Sequence, residues 1–280
     1  MAVFSVHFDG PIAVDHRVSV RVLARTYEHM QRAIDRAYLI NLYGDVYKHA
    51  RLTAKQYKET EFIAEYPREG GIILDAVKQG AGPIVDRIFS AVRPVFEAAL
   101  GEGLQQHAAL TAQFEERRTY VTRMGVNTPT YEQVASEPPP NWASNYSNRS
   151  VMKEIDQLVA QVAPQELAGS SVDVTLIGDV PHLPLHFDSR TATRFHQIAS
   201  HRELGPPMII HAVIRALDRG NRFTRPNAKI LNLATGREVT LLCTRAGDAD
   251  ALHPFHNNEP VHLFVSPMIE AMGFDMKGGD

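Results

Sequence analysis

The stretch from Pro206 to Val265 constrains the fold more than any other part of this chain. After the Gly205-Pro206-Pro207 break, residues 208–217 (MIIHAVIRAL) predict a strand. Residues 229–233 and 237–243 predict a hairpin around Ala234-Thr235-Gly236. Residues 248–256 suit one or two helical turns, and 260–265 (PVHLFV) predict a closing strand. Short strands at this spacing predict a small β-barrel, SH3-like or OB-like, over residues 206–280.

The preceding 205 residues read differently, as an α/β body with long amphipathic helices on a small sheet. The class is therefore α+β. Residues 2–8 (AVFSVHF) are rich in β-formers and stop at Asp9-Gly10-Pro11. A helix is expected over 18–43. Leu23, Tyr27, Met30, Ile34, Ala37 and Tyr38 recur at spacings of three and four, and Gly44 sits where a C-terminal stop belongs. Residues 61–66 and 71–77 predict two strands joined by a turn at Pro67-Arg68-Glu69-Gly70. Pro83 opens a second helical run, which Pro94 should kink or split, and helical character resumes from Leu104 to Val121. Residues 125–149, with Pro138-Pro139-Pro140 and NWASNYSNRS, predict an exposed loop or linker. A further helix is expected over 150–163, a strand over 172–177, and a helix over 189–203 capped by Ser189.

Composition limits what the chain can do. A net charge of −3 exerts no global pull toward nucleic acid or anionic lipid, so any such pull is local. The single cysteine, Cys243, forms neither an internal disulfide nor a cysteine zinc site, which points to a reducing cytoplasm. No apolar run approaches the roughly 20 residues needed to cross a bilayer, and the N-terminus lacks the pattern of a signal peptide. No membrane partner is expected.

The local pull is found between Arg215 and Arg237. Arg215, Arg219, Arg222, Arg225, Lys229 and Arg237 are interrupted by one acid, Asp218. With Phe223 as the aromatic of the loop, these residues are the candidate ligand or nucleic-acid contacts. The competing reading is a solvated loop whose arginines pair with acids elsewhere. Two histidine pairs, His182/His186 and His253/His256, have spacings that suit a metal, with Asp179, Asp188, Asp248 and Asp250 nearby. Pro184 prevents a regular helix from placing the first pair on one face, and no HExxH motif occurs. No metal, cofactor or catalytic residue is therefore expected. Cys243, inside VTLLCT, reads as a buried small hydrophobe.

Three segments carry a resemblance: FDGPI at 8–12, PREGG at 67–71 and ATGREVTLLC at 234–243. With the order of elements, they make the chain similar to a family of uncharacterised bacterial proteins that sometimes sit among mobile-element or phage-defence genes. The resemblance implies a cytosolic bacterial protein that works through partners, and it brings no catalytic residues with it. The leading expectation is a non-enzymatic binding or scaffold protein with a protein partner or a second copy of itself. The alternatives are a nucleic-acid-binding protein using the 215–237 loop, and a hydrolase with a His/Asp cluster near 179–188.

Overall fold

The computed structural model describes residues 1–15, 17–44, 46, 50–65, 72–101, 112–113, 116, 128–139, 142–220, 224–243, 246–256, 259–271 and 273–274. It is a mixed helix and sheet protein that divides into two units. The first comprises residues 1–105 and 146–201, the second residues 106–145 and 202–280. No helix among the described residues is long and apolar enough to cross a membrane.

The first unit is built on a five-stranded sheet of β1 (Ala2–Asp9), β2 (Ile63–Ala64), β3 (Ile72–Lys78), β4 (Ser171–Ile177) and β5 (Leu185–Asp188). Its order is β2-β3-β1-β4-β5, and every pairing is antiparallel. Alternation along β1 sends Ala2, Phe4, Val6 and Phe8 into the core. Helices α1 (Val20–Tyr43), α3 (Gly82–Leu100), α5 (Trp142–Val159) and α6 (Ser189–Ala199) supply the other half of that core, and the short α2 (Tyr57–Thr60) precedes β2. The expected α1 stripe is present: Met30, Ile34 and Ala37 are buried, and Leu23, Tyr27 and Tyr38 pack at its margin. Ser19 caps its start, and Gly44, at φ 80°, ends it.

Several expectations change. Helix α3 runs unbroken through Pro94. Asp188, not Ser189, caps α6 and accepts from Thr191 N at 2.7 Å. The 125–149 segment is not one irregular loop. It contains α4 (Tyr131–Ser136), begun by a capping box of Thr130 and Gln133, and WASNYSNRS opens α5. Weak helix propensity is overridden there by tertiary contact: Ser147 is fully buried and accepts Val46 N at 2.9 Å. Pro139 lies ahead of the helix, where a missing N–H costs nothing. The turn at 67–71 and the 104–121 helix, apart from residues 112, 113 and 116, lie outside the described residues.

The second unit carries β6 (Arg202–Leu204) paired with β11 (Met268–Glu270). Its main sheet comprises β7 (Met208–Asp218), β8 (Asn227–Asn232), β9 (Arg237–Leu242) and β10 (Val261–Val265), with α7 (Ala246–Leu252) between the last two. The main sheet is open, in the order β10-β7-β8-β9, and no closed barrel occurs among the described residues. Closure would need β9 to meet β10. Instead the long β7 pairs with β10 along its first half and with β8 along its second, which holds β9 and β10 at opposite edges. The two pairings meet at Ala212, and a bulge between Ile214 and Ala216 falls within the β8 half. Ile210, Ala212, Ile214, Ile230 and Val239 face the core with Tyr131 of α4.

Candidate functional site

In the first unit, α1 presents Arg32, Asp35, Arg36 and Leu39 at offsets of three, four and seven, so all four share one helix face. With Arg51, Tyr57 and Glu154 they line a cavity of about 250 Å³. The two carboxylates are already engaged. Asp35 accepts Gln31 Nε2 at 2.8 Å, and Glu154 lies 2.8 Å from His29 Nδ1. Burial pushes the Asp35 carboxyl above its usual range, against the hydrogen bonds from Gln31 and Thr60 and the charge of Arg36. Arg36 gives one N–H to Ala50 O at 3.0 Å, and Arg32 pairs with Glu28 at 2.6 Å on an exposed surface. Arg51 is exposed and has no ion-pair partner among the described residues. Guanidinium donors therefore outnumber acceptors in this cleft.

The histidine pairs whose spacing suits a metal do not come together. His182 Nε2 lies 2.7 Å from Asp86 Oδ1, and its ring stacks on Phe89 with centroids 3.9 Å apart. Asp86 also accepts the backbone N–H of Asp179 at 3.1 Å and of Val180 at 3.5 Å, so it clamps the whole 179–182 turn. Gly178 is required here, because a Cβ would collide with the Asp86 carboxylate. His186 Nδ1 belongs to a different carboxylate, Asp173, at 2.6 Å, and His7 approaches the same group at 3.6 Å. His7, Asp173 and His186 face one another in register across β1, β4 and β5. Asp188 is occupied as the α6 cap, and its backbone bond from Thr191 holds its carboxyl below the usual range. His256 Nε2 donates to Arg215 O at 3.0 Å, and His253 lies in a 3₁₀ turn. Among the described residues, no group of three or more His, Cys, Asp or Glu side chains can hold a metal ion. Asp86 and Asp173 were invisible to local sequence reasoning: they reach their histidines across 96 and 13 residues.

Of the basic candidates in the second unit, Arg219 pairs with Asp250 at 2.7 Å and Lys229 lies 3.5 Å from Glu238, both on exposed surface. Arg215 and Arg225 are exposed and Arg237 is half-buried, while Arg222 and Phe223 lie outside the described residues. The unit also carries an open groove of about 780 Å³ beside α4, lined by Pro129, Gln133, Glu137, Pro139, Pro206 and Pro207. Cys243 is buried, and desolvation pushes its thiol up, the opposite of a reactive thiolate. Compared with known proteins, the chain matches no family model, no curated protein and no solved structure.

Proposed function

We propose that this chain is a cytosolic binding or scaffold protein that carries out no reaction of its own, and that the cleft of its first unit receives a small ligand bearing an anionic group. The observation behind this reading is the state of the cleft's charges. Asp35 and Glu154 already have partners, whereas Arg51 has no ion-pair partner among the described residues, and Arg36 gives one of its N–H donors to Ala50 O. Arginine at such a position favours carboxylate or phosphate, which accept two parallel N–H bonds. The histidines argue the same way. His182 is tied to Asp86 and His186 to Asp173, which lie on different elements, so the two histidines do not converge on one reacting atom.

Calorimetric titration and thermal melting with inorganic phosphate and with a small dicarboxylate test this. A ligand that binds only the folded chain raises its melting temperature by mass action. The expected result is a ligand-dependent rise that Arg51→Glu abolishes. Absence of any shift, or an equal shift in Arg51→Glu, overturns the cleft as the site.

A further inference from the structure

The outer face of the second unit's main sheet has the wrong composition for a solvated surface. Alternation along β7 turns Ile209, His211 and Val213 outward, while β10 turns out His262 and Phe264. An antiparallel sheet with one wet face ordinarily shows polar residues there. Here Phe264 is 41% exposed. His211 and His262, opposite each other in register, lie with ring centroids 4.6 Å apart and planes 19° apart. Two imidazoles are already stacked, and an open phenyl ring stands two residues along the strand on the same face.

Charge complements these rings at the far end of the same face. The bulge sets Arg215 and Ala216 against Lys229, whose side chain shares the outward face with Leu231. At about 3.3 Å per residue, Arg215 lies roughly 13 Å along β7 from His211. Arg215 is exposed and has no ion-pair partner among the described residues, whereas Lys229 is shared with Glu238 at 3.5 Å. Five cations and one acid fall between Arg215 and Lys229 in the sequence.

We infer that this face is a stacking platform for single-stranded nucleic acid, with His211, His262 and Phe264 taking bases and Arg215 and Lys229 taking phosphates. Unpaired bases offer π faces to side-chain rings, and the backbone follows the cations. A duplex hides its bases and gains nothing from the rings. The inference is independent of the anion cleft in the first unit, and neither result decides the other.

The test uses the full chain and labelled oligothymidine and oligoadenine of about ten nucleotides, followed by fluorescence anisotropy across a salt series. Binding is expected, with log affinity falling by about 0.7 per log salt for each phosphate contact. Phe264→Ala should weaken binding by roughly fivefold to a hundredfold without changing that slope, and Phe264→Trp should restore it. Arg215→Ala should flatten the slope by one contact. A fluorescent adenine analogue in the strand should be quenched on binding to the unaltered chain, a readout that needs no variant. Failure to bind, as expected if the face instead docks a protein, overturns the inference. So does equal affinity for duplex, or binding that a folded Phe264→Ala variant retains in full.

Discussion

The two sheets of this molecule differ in how their outer faces use their polar and ring-bearing side chains. Outside its core, the first unit's sheet shows Ser5, His7, Asp173, Thr175 and His186, of which His7, Asp173 and His186 bond across the strands, with Val3, Val77 and Ile177 at one end of the same face. The second unit's sheet shows Ile209, Val213, Leu231, Phe264 and a stacked histidine pair. At His7, Asp173 and His186 the first face is closed on itself, and a ligand there would have to displace those bonds. The second leaves apolar and π surface in contact with water, which is unfavourable until something covers it. Self-satisfied polarity marks architecture, and unsatisfied apolar surface marks recognition.

The contrast is sharpest between Phe187 and Phe264, two phenylalanines on short strands. Phe187 is fully buried and meets Phe96 and Phe195 edge to face at 4.9 and 5.4 Å. Phe187→Ala should lower unfolding free energy by about 3–5 kcal/mol in a urea titration followed by circular dichroism. Phe264→Ala should stay within about 0.5 kcal/mol in the same titration. A comparable loss at both positions would mean that Phe264 belongs to a core and would break the distinction.

Next in size is the Asp86 clamp. Gly178→Ala should force the carboxylate off the 179–182 turn, leaving its donors unmet, at a cost of roughly 1–3 kcal/mol. Proteolysis of the exposed Val180–Leu183 segment should accelerate with it. If the variant keeps its stability and its resistance to cleavage, the clamp contributes nothing.

The smallest effect is at the α6 cap. Asp188→Ala should cost about 1 kcal/mol near neutrality. Because the folded carboxyl lies below its unfolded value, this stabilisation is complete above the unfolded value and is lost as pH falls through the folded one. The difference between the two proteins should therefore vanish in acid. Asp35 has the opposite sign. Burial raises its carboxyl, so its contribution is fullest in acid and declines as pH rises through the raised value. Unfolding curves of Asp188→Ala and Asp35→Asn across acid pH would separate the two. A constant gap for Asp188→Ala would remove the cap from the account.

Local pattern made much of this fold legible. The period of α1, its glycine stop, the 172–177 strand and the hairpin at 234–236 depend on neighbours within a few residues, and each stands where its pattern places it. Closure of the C-terminal strands was not legible, because whether β9 meets β10 depends on how β7 divides its length between two partners. The helical state of WASNYSNRS was hidden for a related reason: it rests on the burial of Ser147 against Val46, about a hundred residues away.

The candidate sites divide the same way. Composition and spacing alone determined that a lone cysteine and scattered histidines offer no ready catalytic motif, and that cations gather between Arg215 and Arg237. Pairing was decided only by the tertiary structure. Arg219 found Asp250, Lys229 found Glu238 and His182 found Asp86, while strand register brought His211 against His262. A charge or ring is specified by the residue itself, but its availability depends on what the folded chain places within about 4 Å, and that distance is unrelated to separation along the sequence.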